Sequence, residues 1–322
     1  MNSVNLMVFG LSFIFLAGCA AGRTVLNDDD RTGNGSELRR LSYDSRATGQ
    51  ERDYFVYLPD GYHANPDKEW PVMLFLHGNG ERGDGKEELD FVMVHGPLYE
   101  AWVQKRELPF VIVAPQLPMY SMGDVGYIAN RSRDQIPERL DEGVPDRPVP
   151  DTPPMAMDGA PTPGELPYSA EGPPDGWYRL DEDLMDILDQ VGETFRTDPD
   201  RVYLTGISYG GFGSWYIASR FPEQFAAVAP VVGYGHPDGV APIAEHELPV
   251  WCFSGGRDPV VEPEYFYPAM NKLEELGHPE ALLTNHEHGG HDIWVQIYAG
   301  RDIYDWLLSK RRQDITVQVI KP

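Results

Sequence analysis

The chain has 322 residues, of which 41% are hydrophobic, enough for one domain with a large buried core. Its formal net charge of −25 argues against binding to nucleic acid or charge attraction to anionic lipid head groups, because both carry negative charge. The two cysteines are Cys19 and Cys252. The second lies in an apolar stretch typical of a buried strand, so no intramolecular disulfide is expected.

The amino terminus has the pattern of an export signal. The apolar stretch over residues 4–17 is too short to span a bilayer comfortably and has the length of a signal-peptide hydrophobic region. It ends in Leu16-Ala17-Gly18-Cys19, which resembles the lipobox of bacterial lipoproteins and implies Cys19 as the lipidated first mature residue. The alternative is an ordinary secretory signal, since neither Lys nor Arg precedes the apolar stretch.

This pattern divides the chain into a lipoprotein signal peptide over 1–18, a flexible polar tether over 19–36 and one folded domain over 37–322. Acyl chains on Cys19 would anchor the protein to a bacterial membrane. Ala20 is compatible, by the same resemblance, with sorting to the outer membrane. We therefore expect an exported lipoprotein that faces the periplasm or the cell surface.

Hydrophobic patterning over 37–322 predicts alternating strands and helices. Antiparallel strands are expected over 37–59, followed by strands over 72–76, 110–114, 202–207, 226–232, 250–254 and 282–286. Helices are expected over 181–195, 212–220, 263–276 and 292–310, and residues 315–319 alternate like an extra edge strand. The alternation predicts an α/β fold with a mostly parallel sheet and helices on both faces.

The strand over 72–76 is apolar throughout and runs into the loop His77-Gly78-Asn79-Gly80-Glu81-Arg82-Gly83. Small residues let backbone N–H groups approach a substrate oxygen. We expect Gly78, Asn79 or Gly80 to donate one N–H to the negative charge of a reaction intermediate, as part of an oxyanion hole. The alternative is a flexible connector.

A long insertion rich in Pro and acidic residues follows over about 117–177. Loops of this length are either functional lids or disordered, and this composition argues against assigning helices to it. The insertion also carries Met and aromatic residues, among them Met119, Tyr120, Tyr127, Tyr168 and Trp177. We expect a partly ordered flap that shapes the substrate pocket.

The most informative motif is Gly206-Ile207-Ser208-Tyr209-Gly210, which follows an apolar strand and precedes a helix. This is the G-x-S-x-G nucleophile elbow in the context that it requires. Gly206 and Gly210 are expected because side chains on so sharp a turn would collide with neighbouring elements. The motif predicts Ser208 as nucleophile and the N–H of Tyr209 as the second oxyanion donor. The alternative is a plain turn between a strand and a helix.

An acid and a base follow in the chain order of α/β-hydrolases. Asp258 follows the strand predicted over 250–254 and a glycine turn, and it is the candidate acid that orients His291, the candidate general base. Asp258 could instead only close its turn, because Asp before Pro is common there, and Glu262 is then the reserve acid.

The loop that carries His291 holds two more histidines, His286 and His288. The spacing His-x-His-x-x-His allows a metal site as the alternative, but a cysteine or carboxylate cluster is missing, and Gly289-Gly290 favours a mobile catalytic loop. His288 is the second candidate base, and His286 is expected to end its strand. We therefore expect no metal.

Together, the loop at 75–83, Val113-Ala114-Pro115-Gln116, residues 200–211 and His291-Asp292-Ile293-Trp294 resemble the phospholipase/carboxylesterase-like group of α/β-hydrolases. That group is related to feruloyl esterases and polyhydroxyalkanoate depolymerases, and more distantly to the prolyl oligopeptidase family. The resemblance covers about 54–311 except the insertion, although Tyr209 stands where similar proteins often carry Met. It implies an α/β-hydrolase fold with an eight-stranded-type sheet.

The same resemblance implies a serine carboxylic-ester hydrolase without cofactor, acting through an acyl-enzyme on a small-molecule or polysaccharide-linked ester. A serine peptidase and a non-catalytic binding lipoprotein remain open. Tyr234, Trp215 and Trp294 lie near the predicted site and suggest either flat acyl groups or core packing.

Overall fold

The computed structural model describes residues 35–145 and 164–312, together with Arg23–Thr24 and Pro154. In this part of the chain, one sheet runs in the order β1-β2-β3-β5-β4-β6-β7-β8-β9. The pairings from β1 to β3 and between β3 and β5 are antiparallel, and those from β5 to β9 are parallel. The strands are β1 Arg23–Thr24, β2 Glu37–Ser45, β3 Gln50–Leu58, β4 Trp70–Leu76, β5 Val111–Pro115, β6 Thr197–Ile207, β7 Ala227–Val231, β8 Val250–Gly255 and β9 Ala281–His286.

Helices cover both faces of this sheet. Strand β4 is buried along its whole length, and its alternate residues face opposite sides, as the pleat requires. Val72, Leu74 and Leu76 belong to the core beneath α3, α4 and α6, whereas Met73 and Phe75 belong to the core beneath α1, α7 and α8. The helices are α1 Gly96–Leu98, α2 Gly126–Ala129, α3 Asp181–Thr194, α4 Tyr209–Arg220, α5 Ala241–Glu245, α6 Tyr267–Glu275, α7 Trp294–Ala299 and α8 Asp302–Leu308.

The fold predicted from the sequence is confirmed, although β6 and α4 begin earlier than predicted, at Thr197 and Tyr209, and the last predicted helix is interrupted. The helix expected over 292–310 is broken: α7 ends at Ala299 and α8 begins at Asp302. Gly300 between them is extended, with φ −90° and ψ −178°. Glycine is a poor helix former, so interrupting the helix at this residue costs little free energy.

The first part of the insertion is more regular than its composition predicts. Short 3-10 turns over Tyr120–Asp124 and Arg133–Gln135 flank α2, and Ser132 caps the second turn through a reciprocal capping box with Gln135. The expectation of a segment without helices is therefore wrong for this part. Residues 146–153 and 155–163 lie outside the described residues.

Three other sequence predictions concern regions that the structure describes little or not at all. Cys19 and the signal peptide lie outside the described residues, as does the predicted edge strand over 315–319. Within the stretch predicted as a tether, Arg23–Thr24 pairs antiparallel with Arg39 and Arg40 of β2. Among the described helices, none is both long enough and apolar enough to cross a membrane.

A buried carboxylate joins α3 to the hairpin formed by β2 and β3. Asp183 is 1% exposed and lies in the first turn of α3, where the helix dipole favours negative charge. It accepts hydrogen bonds from the Ser45 hydroxyl at 2.6 Å and from the Arg46 N–H at 2.8 Å. Asp186, one turn later, makes an exposed ion pair with Arg46.

We expect the substitution Asp183→Ala to lower the free energy of unfolding by about 1–3 kcal/mol, because the buried Ser45 hydroxyl and the part-buried Arg46 N–H lose their acceptor. Asp186→Asn is the matched control and should cost less than about 1 kcal/mol, since its ion pair is exposed. Urea denaturation of the two variants measures both values. Equal losses of stability in the two variants would contradict the role of Asp183 in joining α3 to the hairpin.

Candidate active site

Ser208 lies on a sharp turn between β6 and α4. Its backbone has φ 50° and ψ −113°, a sparsely populated conformation that costs on the order of 1–3 kcal/mol for a residue with a side chain. Two backbone hydrogen bonds hold this conformation: the Ser208 N–H donates to Val231 at 3.0 Å, and the Phe212 N–H donates to Ser208 at 3.0 Å. The turn therefore fixes the hydroxyl at the carboxyl end of the sheet.

The glycines around Ser208 permit this close approach of backbones. A Cβ atom on Gly210 would lie 1.8 Å from the carbonyl oxygen of Leu76, at the end of β4. A Cβ atom on Gly206 would lie 2.4 Å from the carbonyl oxygen of Gly210. Both distances are far below a normal contact, so a side chain at either position would displace the elbow.

Three predicted side chains form one hydrogen-bonded chain. His291 Nε2 lies 3.0 Å from Ser208 Oγ, and His291 Nδ1 lies 2.7 Å from Asp258 Oδ2. A carboxylate is an acceptor, so Nδ1 carries the proton and Nε2 faces the hydroxyl as an acceptor. This is the arrangement in which a histidine can remove the proton of a serine.

Asp258 makes the hydrogen bonds that both of its predicted roles require. Its Oδ1 closes the turn by accepting from the N–H groups of Val260 and Val261 at 2.8 and 3.0 Å. Its Oδ2 remains for His291, and the residue is only 3% exposed. Glu262, the reserve acid, is exposed at the start of a 3-10 turn.

The neighbouring histidines have separate surroundings. His286 is buried at the end of β9 with its ring stacked on Phe253, and burial lowers its pKa. His288 is paired instead with Arg257, 3.1 Å from its Nδ1. Among the residues that the structure describes, no group of three or more His, Cys, Asp or Glu side chains is arranged to hold a metal ion.

The loop after β4 is held by a buried imidazole. His77 Nε2 accepts from the Leu117 N–H at 2.9 Å, so Nδ1 carries the proton and donates to the Gly78 carbonyl at 2.6 Å. Burial lowers the pKa of His77 to about 3, so this ring is neutral at ordinary pH. Trp177 adds a second anchor by donating its indole N–H to the His77 carbonyl at 3.1 Å.

These anchors orient the peptide that links Gly78 to Asn79. Because the peptide is trans, its N–H points opposite to its carbonyl. The Gly78 carbonyl faces His77, so the Asn79 N–H faces away from that ring. Which of the three predicted donors of this loop meets the oxyanion stays a prediction, and the direction of this N–H is compatible with Asn79. The other predicted donor, Tyr209, is the first residue of α4.

Side chains of the insertion reach the same loop. Asn79 donates from Nδ2 to the Tyr127 hydroxyl at 2.5 Å and accepts at Oδ1 from Arg82 Nε. Arg131 donates to the Gly80 carbonyl at 2.9 Å. Arg82 is fully buried, and its guanidinium lies 4.9 Å above the ring of Tyr209. The sequence alone indicates no role for Arg82 or Arg131, because their partners depend on how the insertion folds.

Of the three aromatic residues suggested near the site, one contacts the hydrogen-bonded chain. The ring of Trp294 packs edge-on to His291, with centroids 5.2 Å apart. Trp215 and Tyr234 are buried in the core beneath α4 and α6. The Tyr234 hydroxyl accepts from the N–H of Tyr168, so it also holds the end of the insertion.

Comparison with known proteins finds matches to parts of this chain. The model of the prolyl oligopeptidase family matches residues 179–238, which include the elbow. The poly(3-hydroxyalkanoate) depolymerase C of Paucimonas lemoignei is 36% identical over 50 residues, which are 16% of this chain and 12% of that protein. The match thus spans only about an eighth of the length of that curated relative.

Solved structures extend the likeness to most of the chain. A thermostable esterase is 24% identical, with a TM-score of 0.56, over 85% of this chain and 63% of that one. A mutant of the feruloyl esterase module from Clostridium thermocellum, complexed with sinapinate, is 17% identical, with a TM-score of 0.53, over 89% and 92%. With the strand order, these likenesses show that the chain has the α/β-hydrolase fold, as its sequence motifs implied.

We expect Gly210→Ala to lower kcat/KM on an ester substrate by about 100-fold, because a displacement of the elbow by about 1 Å misaligns Ser208. The overlap with Leu76 should also cost about 1–3 kcal/mol of stability.

Gly192→Ala in α3 is the matched control, since its Cβ would meet only Thr197 Oγ1, at 4.0 Å. It should leave kcat/KM unchanged and stabilise the helix by up to about 1 kcal/mol. Steady-state kinetics and thermal unfolding of both variants test the argument. Full activity of Gly210→Ala would show that the close approach of the backbones is dispensable.

Proposed function

We propose that the protein is a serine carboxylic-ester hydrolase that works through an acyl-enzyme on Ser208. The observation that carries the proposal is the chain from Asp258 through His291 to Ser208, with hydrogen-bond distances of 2.7 and 3.0 Å. It stands at a strained elbow in an α/β-hydrolase fold. Strained backbone at a reactive hydroxyl is a feature of catalytic turns rather than of ordinary ones.

The geometry supports a two-step reaction. Ser208 Oγ attacks the ester carbonyl carbon while its proton passes to His291 Nε2, and Asp258 stabilises the imidazolium. The oxyanion accepts hydrogen bonds from the N–H groups of Tyr209 and Asn79. The intermediate then expels the alcohol, which takes the proton from His291. A water molecule then attacks the acyl-enzyme while His291 takes its proton, and His291 returns that proton to Ser208 Oγ as the acid leaves.

For the substrate, we propose a carbohydrate-linked or phenol-linked ester, or another small carboxylic ester. The similar proteins include a poly(3-hydroxyalkanoate) depolymerase and a feruloyl esterase module complexed with sinapinate. Both names indicate esters of carboxylic acids. Aromatic side chains also surround the elbow: Tyr209 follows Ser208, Trp294 packs on His291, and the exposed Tyr127 bonds to Asn79. Such side chains favour flat acyl or alcohol groups.

A serine peptidase is the second candidate, and one observation favours it. The family model that matches residues 179–238 describes the prolyl oligopeptidase family. Peptide and ester hydrolysis share the same nucleophile and base, so the site geometry is compatible with both. A panel of matched ester and peptide substrates with the same acyl group distinguishes the two by their kcat/KM values.

We also propose that the enzyme is an outer-membrane lipoprotein, which rests on the lipobox-like residues 16–19. In a bacterial host, labelled palmitate should be incorporated into the wild type and into Cys252→Ala, but not into Cys19→Ser. Cys252 is fully buried and serves as the matched cysteine control. An unlabelled wild type that is exported would favour the ordinary secretory signal.

Ser208→Ala and Asp258→Asn should each lower kcat on a chromogenic ester by about 10⁴-fold or more, because one loses the nucleophile and the other the correct orientation and tautomer of His291. A fluorophosphonate probe should label the wild type and fail to label Ser208→Ala.

Ser309→Ala removes an exposed serine and is the control for both assays. It should keep full activity and full labelling. Ester hydrolysis that survives in Ser208→Ala would overturn the proposed mechanism, and a wild type that neither reacts with the probe nor cleaves esters would favour a binding protein.

A further inference from the structure

Glu81 is a buried carboxyl group in the predicted oxyanion loop. It ends the 3-10 turn Asn79–Glu81 and is 8% exposed. Its Oε2 is buried and finds no hydrogen-bond donor among the described residues. A charged carboxylate in such a position is unfavourable, because this oxygen has lost water without gaining a donor.

The side chains nearest to Glu81 provide little compensating charge. Its oxygens lie 3.8 Å from His77 Nδ1 and 3.9 Å from His95 Nε2. Burial lowers the pKa of both imidazoles, although the Asp292 carboxylate acts in the opposite direction on His95, so neither is a cation at neutral pH. The charge of Arg131 favours the carboxylate only weakly, since its guanidinium is already paired with Glu88.

The protonation behaviour of Glu81 follows from these surroundings. Burial raises its pKa to about 7, against a smaller opposite effect of its own N–H and that of Gly78. Near neutral pH, the group therefore passes from a neutral acid to a charged carboxylate. The charge of this carboxyl group therefore changes in the same pH range as that of an ordinary histidine.

This charge would appear beside the proposed oxyanion hole. A Cβ atom on Gly78 would lie 3.2 Å from Glu81 Oε2, so the carboxyl group is in contact with the loop that presents the Asn79 N–H. On its other side, His95 packs on Trp294 with ring centroids 5.5 Å apart, and Trp294 packs on His291. The Glu81 carboxyl group thus lies between Gly78 of its own loop and His95, which packs on Trp294.

We infer that Glu81 is a positioning residue of the oxyanion loop and supports ester hydrolysis only as the neutral acid. This inference rests on the proposed function. A carboxylate at this place would oppose the negative charge that develops on the substrate oxygen, since like charges in a poorly solvated site repel strongly. It would also draw the Gly78 N–H towards itself and so disturb the peptide that precedes the Asn79 N–H.

The pH dependence of kcat/KM on a neutral ester tests this inference. In the wild type, we expect kcat/KM to fall about tenfold as the pH rises through 7, which corresponds to about 1.4 kcal/mol of transition-state free energy. Glu81→Gln cannot ionise, so its profile should lack this fall, whatever its activity at low pH. Glu87→Gln is the control, since it removes an exposed charge from the same region and should keep the wild-type profile.

Thermal unfolding gives a readout that does not depend on activity. A carboxyl group with a native pKa near 7 and an ordinary value of 4.5 when unfolded lowers stability as the pH rises between these values. The Tm of Glu81→Gln minus that of the wild type should therefore increase from about pH 4.5 to about pH 7 and be constant above it. Parallel Tm curves would overturn the assignment of a neutral Glu81.

The kinetic outcomes separate this inference from the proposed function. A wild type without the alkaline fall overturns the inference by itself, and so does a fall that persists in Glu81→Gln. A wild type that hydrolyses no ester at any pH overturns the proposed function as well, while the Tm curves still report the ionisation of Glu81.

Discussion

The site depends on the direct contact of two backbones, at Gly210 in α4 and Leu76 in β4. No side chain fits between them, because even a methyl group on Gly210 would overlap the Leu76 carbonyl. β4 and β6 are parallel neighbours, with Leu76 opposite Gly206, so both strands end at the same level. The nucleophile elbow and the loop predicted to stabilise the oxyanion therefore meet as a consequence of strand register, and the contact at Gly210 sets their separation.

Two histidine side chains, each with its tautomer fixed by hydrogen bonds, lie in the two parts of the site, at the elbow and in the loop after β4. His291 donates from Nδ1 to Asp258 and presents Nε2 to Ser208, so it can accept a proton. His77 also donates from Nδ1, but to the Gly78 carbonyl, while its Nε2 is occupied by the Leu117 N–H. Because His77 is buried and neutral, it fixes the backbone without adding a charge beside the oxyanion. We propose that the same type of side chain acts as a base in one loop, and it holds the backbone in the other.

The sequence predicted those parts of the site that are encoded locally. The elbow has a short motif with a steric reason for each glycine, and the order of Ser208, Asp258 and His291 follows the order of strands in the sheet. Contacts between distant segments could not be predicted in this way. Trp177 bonds to His77 across 100 residues, and Tyr127 bonds to Asn79 across 48, and neither separation follows a repeating pattern. The role of a loop residue such as Glu81 depends on its burial, which hydrophobic patterning does not report for a charged residue.

The insertion does not only cover the site, because it is bonded directly to the predicted oxyanion loop. Its described residues bond to the oxyanion loop itself: Tyr127 to the Asn79 side chain, Arg131 to the Gly80 carbonyl and Trp177 to the His77 carbonyl. Only interactions that are stronger in the transition state than in the ground state accelerate a reaction. We propose that the insertion acts on that difference, because it holds the loop that would meet the developing charge. A substrate group that contacts the exposed Tyr127 would then be linked to this loop through the Asn79 side chain, so substrate selection and transition-state stabilisation would depend on the same loop.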